Sequence, residues 1–167
     1  GTTSDPKAII WTQSTPIKCG VDAMLHQDLL SDDICHWPTN LGWMMGPWLL
    51  WSTFLNRATL ALYDGAPHTR AFAEFISAEK ITMLGTVPSL VKSWRAADVF
   101  KNLQLSVRCF SSTGECSSPE DMHWLSSQAG YRPIIEYCGG TEIGGAYISS
   151  TCIENNYASC FGTKVFG

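Results

Sequence analysis

The sequence predicts an α/β fold, a layered and largely parallel sheet flanked by helices. Short apolar runs of strand length recur along the chain, and segments with helical apolar spacing alternate with them. Polar, glycine-bearing loops follow several of the strands, where ligands gather in sheets of this class.

The elements follow in order. Ala8 to Thr12 is a short apolar run suited to a buried strand. Thr15-Pro16 opens a helix toward Leu30, with Pro at the first helical position. Ser31-Asp32-Asp33 turns the chain into a strand at Ile34 to Trp37. Leu41 to Phe54 reads as a buried helix, apolar nearly all round, and Ala58 to Tyr63 as a strand closed by the turn Asp64-Gly65-Ala66-Pro67. Thr69 to Ala78 has helical spacing, Ile81 to Leu84 is a strand, and Thr86-Val87-Pro88 starts a helix through Trp94. Leu105 to Phe110 is a strand ending in the polar loop Ser111 to Glu115. Ser118-Pro119-Glu120 begins a helix with acids in its first turn, where the helix dipole favours them. Pro133 to Tyr137 is the last strand and runs into Gly139-Gly140-Thr141-Glu142.

Composition narrows the function. The chain has 167 residues, enough for one domain with a real core, and 45% apolar with only 16% charged residues excludes intrinsic disorder. Seven Trp, seven Phe and five Tyr point to an interface as well as a core, so further polypeptide is expected to cover part of the surface. A net charge of −4 with eleven scattered basic residues argues against nucleic acid. Leu41 to Leu55 is too short for a membrane span and is interrupted by Gly42, Gly46, Pro47 and Ser52. The seven cysteines form no CxxC pair, which argues against zinc and reads as reduced, buried thiols of an intracellular protein. Gly1-Thr2-Thr3 has no strand before it and the chain stops at Lys164-Val165-Phe166-Gly167, so both ends read as cut.

Three segments carry chemistry. Gly1-Thr2-Thr3-Ser4-Asp5-Pro6-Lys7 combines small, hydroxyl and ammonium groups that can wrap phosphate oxygens, although a plain polar turn would look similar. Trp37 to Trp48 sets methionines and indoles among glycines, which suits either an apolar pocket or a core helix. Glu136 to Gly145 brackets Thr141 and Glu142 with glycines just past a strand. There Thr141 suits a phosphate oxygen and Glu142 supplies a hard oxygen for Mg²⁺, where an ordinary glycine turn is the alternative. A fourth loop, Ser111 to Cys116, is placed to edge a flat purine or to be a simple turn.

Taken together in this order, the segments resemble the motifs of the adenylate-forming superfamily of acyl-CoA synthetases, luciferases and peptide-synthetase adenylation domains. The phosphate loop SGTTGxPK is matched from Gly1 to Lys7, with Ser4 at the second Gly, and the late motif YGxTE or WQTETGG by Cys138 to Gly145. The Gly42-Trp43 pair and Thr113-Gly114-Glu115 resemble the acetyl-CoA synthetase branch. The wording of PKAIIWT, NLGWMMGPW and YCGGTEIGG is most similar to plant peroxisomal acyl-activating enzymes.

The resemblance implies that residues 1–167 are part of an AMP-binding domain, running from the phosphate loop to the glycine-rich TE motif, of an ATP-dependent carboxylate–CoA ligase. Its substrates would be a small carboxylic acid, ATP and coenzyme A, with Mg²⁺, in the peroxisome or otherwise the cytoplasm. Lys7, Thr141 and Glu142 would be catalytic, and Glu142 the metal ligand. Thr2, Thr3, Lys7, Gly114, Glu115, Cys116, Tyr137, Cys138, Gly140 and Thr141 would bind ATP; because Cys138 stands where relatives place the aromatic that stacks on adenine, either Tyr137 takes over that role or the stacking is weaker. Trp43, Met44, Thr113 and Gly139 would wall the acyl pocket. Gly139 replaces the Trp of acetyl-specific relatives, so an acid longer than acetate is expected. The family's ribose-binding Asp, hinge and mobile carboxy-terminal domain lie outside this region, and the 167 residues alone are expected not to turn over. A non-catalytic nucleotide-binding fragment is the rival; a Ser-His-acid hydrolase is disfavoured because no GxSxG elbow is present.

Overall fold

The computed structural model describes residue 5 and residues 8–166. Twelve elements follow one another within these: α1 (Ser14–His26), β1 (Ile34–His36), α2 (Met45–Leu55), β2 (Thr59–Leu60), α3 (Arg70–Ala78), β3 (Met83–Thr86), α4 (Pro88–Ala97), β4 (Cys109–Ser112), α5 (Pro119–Ser127), β5 (Ile134–Gly140), β6 (Gly145–Ser149) and β7 (Thr163–Lys164). The strands form one seven-stranded sheet in the order β2-β1-β3-β4-β5-β6-β7. The first four pairings are parallel and the last two antiparallel. The expected α/β layer is therefore present, with an antiparallel edge that sequence patterning missed.

Alternation along the strands separates two cores. Leu84, Phe110 and Ile134 point into a cluster with Phe72, Ile76, Val91, Trp94 and Leu125 from α3, α4 and α5. Their neighbours Cys35, Met83 and Tyr137 point the other way, into a cluster with Cys19, Ala23, Trp48 and Leu49 from α1 and α2. Both sheet faces are covered, as parallel strands require. Phe72 stacks on Trp94 at 5.6 Å and 14°, and each such buried ring contributes about 2–3 kcal/mol by leaving water.

Helix starts follow local chemistry. Thr69 caps α3, its hydroxyl accepting from the Phe72 N–H. Pro occupies the first turn of α4 and of α5, where its missing N–H costs nothing. In α1 the start lies earlier than expected, at Ser14, which moves Pro16 from the first helical position to the third.

Other expectations need correcting. Ala8 to Thr12 is not a strand: it has no ladder partner among the described residues, and Ile10 is 89% exposed. Leu41 to Met44 form turns before α2 rather than its first residues. The fourth strand runs past Phe110 through Ser111 and Ser112, polar residues that are nonetheless fully buried. Hydrogen bonding makes that tolerable for Ser111, whose hydroxyl donates to the Ile135 carbonyl at 3.1 Å and accepts from Gln27 Nε2 at 3.2 Å. Nor are the thiols uniformly buried: Cys19, Cys35 and Cys109 are, but Cys116 and Cys160 are exposed.

Candidate functional site

Because β2, β1, β3, β4 and β5 are parallel, their carboxyl ends share one side of the sheet, and a cavity of about 870 Å³ opens there. Nearly all of its wall consists of residues at or just past a strand end: His36 to Asn40 after β1, Tyr63, Gly65 and Pro67 after β2, Val87 after β3, Thr113 to Glu115 after β4, and Gly139 to Thr141 at the end of β5. Trp43, Met44 and Met45 at the start of α2 complete it. Its wall combines glycines and hydroxyls with indole and thioether side chains. Of the expected site residues it unites Trp43, Met44, Thr113, Gly114, Glu115, Gly139, Gly140 and Thr141.

The β4 loop is held by its own polar groups. Gly114 has φ +90°, a conformation that glycine adopts without penalty. The Thr113 hydroxyl donates to the Tyr137 carbonyl, which turns it toward β5. Glu115 accepts from the Ser89 N–H at 2.9 Å and pairs with its hydroxyl at 3.0 Å, so its carboxylate sits on the first turn of α4. Its side chain therefore fastens the loop to a helix, leaving the loop backbone to face a ligand. Cys116 is exposed and does not contribute to the wall.

The β5 end is shaped by close approach to β6. The ladder shifts register between Cys138 and Gly139. A Cβ on Gly139 would fall 1.8 Å from the Gly145 carbonyl oxygen and 2.8 Å from the Ala146 Cα, which are backbone atoms with nowhere to go. Gly139 lines the cavity, but the absence of its side chain is required by the hairpin, since the Cβ direction runs into the β6 backbone. Cys138 is turned away, its thiol donating to the Tyr147 hydroxyl at 3.0 Å.

Tyr137 must be reassigned. Its ring is 1% exposed and lies against Trp48 with ring centres 5.5 Å apart, on the α1–α2 face of the sheet. Trp48 Nε1 donates to its hydroxyl at 2.9 Å, and that hydroxyl donates to Asp22 at 2.6 Å. Burial, then the Asp22 carboxylate, push the phenol well above its usual range. Strand alternation puts this ring in the core, and it cannot stack on a base in the cavity.

Thr2, Thr3 and Lys7 lie outside the described residues. The segment that follows them, however, reaches the late loop: Trp11 Nε1 donates to the Thr141 carbonyl at 2.7 Å. Beside Thr141, Glu142 is exposed, and among the described residues it makes no salt bridge.

Several contributors escaped sequence reasoning. His36 and Tyr63 also wall the cavity, and their signal was position at or just past the carboxyl end of a parallel strand. The His36 Nδ1 meets the Ala61 carbonyl at 3.0 Å, and burial holds the imidazole below its usual pKa, hence neutral at pH 7. Asp22 is wholly buried, taking Lys18 at 2.7 Å and the Ala146 N–H at 3.1 Å besides Tyr137. It joins α1 to β5 and β6, and only an acid on an otherwise apolar helix face hinted at it.

A cavity with this wall at this sheet edge agrees with the comparisons. The family model described as AMP-binding enzyme matches residues 1–167. The chain belongs to this family. Across its whole length it is 48% identical to a hexanoyl-CoA synthase from Cannabis sativa and 44% identical to a probable peroxisomal acyl-activating enzyme 17 from Arabidopsis thaliana. It spans 23% of the length of each of these relatives. Among solved structures, an acetoacetyl-CoA synthetase from Streptomyces lividans superposes with a TM-score of 0.80 at 29% identity, over 88% of this chain and 24% of that one. An acyl-CoA synthetase from Brucella canis reaches 0.82 over 92% of this chain and 29% of its own, at 23% identity, which speaks for the fold alone. The AMP-binding fold thus accounts for both the parallel sheet and the glycine-rich strand ends.

Proposed function

We propose that the protein containing these residues is an ATP-dependent carboxylate–CoA ligase acting on an acid longer than acetate. The observation that carries this reading is one cavity at the strand ends whose wall combines hydroxyls and glycines with indole and thioether side chains, in a member of the AMP-binding family whose relatives include a hexanoyl-CoA synthase. In the first step a carboxylate oxygen attacks the α-phosphorus of ATP, the bond to the bridging oxygen breaks, and pyrophosphate leaves. In the second the thiol of coenzyme A, losing its proton, attacks the acyl carbon and expels AMP.

Two anions must approach in the first step, so the site has to neutralise charge. The Thr141 hydroxyl, the Lys7 ammonium and the hydroxyls of Thr2 and Thr3 are the groups assigned to the phosphates. Glu142, an exposed hard-oxygen donor beside Thr141, would hold a magnesium ion. That ion supplies charge neutralisation. The purine is assigned to the backbone of Thr113 to Glu115 and Gly140, and the acyl chain to Trp43, Met44 and the neutral His36 end. The reading includes a peroxisomal location, after the name of the Arabidopsis relative.

Pyrophosphate release by the full-length protein, with ATP and a series of straight-chain acids, is the test. Hexanoate is expected to exceed acetate, and Glu142→Ala to lower kcat by about 100-fold. Ser4 in place of the phosphate loop's second Gly, and Cys138 in place of an aromatic, leave room for a second reading, a nucleotide-binding protein without turnover. ATP binding with no pyrophosphate release from any acid would select it.

A further inference from the structure

The inner wall of the cavity is an indole seated where a neighbouring residue has no side chain. Trp37 follows β1, lines the cavity and is 3% exposed. A Cβ built on Gly85 of β3 would fall 1.9 Å from its Cδ2, 2.0 Å from Cε3 and 2.5 Å from Cγ. Carbon atoms do not approach so closely, so any larger residue at position 85 must displace the ring.

The surroundings decide where it goes. Trp48 meets the Trp37 ring edge-on at 5.6 Å and 73°. Trp48 cannot yield easily, being wholly buried and tied through Tyr137 to Asp22. The Gly85 backbone is held in the parallel ladder opposite Ser111, and its neighbour Leu84 is paired on the other side with His36. The open direction is the cavity.

We infer that Gly85 sets the depth of the acyl end of the cavity by seating Trp37 on the sheet, and so positions the wall that selects acid length. This rests on the reading of the cavity as an acyl and adenylate site. Gly85 never touches the acid; it acts through the indole. In the full-length protein, kcat/KM would be measured from acetate to decanoate for the wild type, Gly85→Ala, Trp37→Leu and the double variant. Gly85→Ala is expected to lower kcat/KM for the longest accepted acid by about ten-fold or more, the effect of losing room for a methylene. The KM for ATP should not change. Trp37→Leu should extend the profile to longer acids, and the double variant should recover the length lost in Gly85→Ala, because a smaller side chain leaves room for the new methyl.

An unchanged profile in folded Gly85→Ala, or a double variant as restricted as the single one, would overturn the inference. Should Gly85→Ala fail to fold, Trp37→Leu decides: an unchanged profile there is equally fatal. A wild type that activates no acid at all defeats the functional reading itself, a result distinct from an active enzyme indifferent to position 85.

Discussion

Asp33 shows how much one side chain can hold. It accepts from the guanidinium of Arg108, from the Leu30 N–H at 2.7 Å and from the Thr82 hydroxyl at 2.7 Å. Burial alone would raise its pKa, but these donors outweigh burial and hold the carboxyl below its usual value. A depressed carboxyl stabilises the fold fully above its unfolded pKa, near 3.9, and loses that contribution as pH falls through the lower folded value. Asp33→Asn is therefore expected to cost about 3 kcal/mol near neutrality and to flatten the acid limb of a denaturation midpoint plotted against pH. A variant with an unchanged acid limb would contradict the assignment. The buried thiols make a second case. Burial, then nearby carboxylate charge, raises Cys19 and Cys35 to about 12, so a thiol reagent at pH 8 should label them only after unfolding. Exposed Cys116 and Cys160 should react in the folded state.

Loops fastened to helices govern the next scale. Glu115 links the β4 loop to the start of α4, so Glu115→Gln should cost about 0.5–1 kcal/mol of stability and raise the KM for ATP more than that for the acid. Equal changes in both would remove the loop from the nucleotide side. The hairpin of β5 and β6 is stricter, since Gly139→Ala meets backbone rather than a movable side chain. A loss of folding at this site, rather than a changed acid preference, is the expected result by thermal unfolding. This scale also explains which elements the sequence announced. Parallel strands buried on both faces are short apolar runs between helices, and β1, β3 and β5 could be read that way. By contrast β6 begins inside a glycine turn and β7 has two residues, so neither carries a pattern of its own. The apolar run at Ala8 to Thr12 misled because hydrophobicity without a ladder partner does not make a strand. For the site, polar glycine loops flagged Thr113 to Glu115 and Gly139 to Glu142 directly. The direction of Tyr137 depended on strand phase, which a register shift two residues later obscures, and His36 and Tyr63 carry no local signature.

At the scale of the whole molecule, the charge and aromatic content have a common explanation. The outer side of α2 leaves Trp51, Phe54 and Leu55 42 to 58% exposed, an apolar face on one helix. On the proposed reading, in which these residues belong to a longer ligase, that face is expected to contact further polypeptide. The isolated 167 residues should self-associate in light scattering, and Trp51→Glu with Phe54→Glu should reduce it; association unaffected by both would place the sticky surface elsewhere. On the proposed reading one cavity at the strand ends holds nucleotide and acyl chain together. A crystal structure of the full-length protein with a hexanoyl-adenylate analogue tests it most directly. The purine is expected along Thr113 to Glu115 and Gly140, with the alkyl chain between Met44 and Trp37. An analogue bound with its alkyl chain outside this cavity would contradict the account.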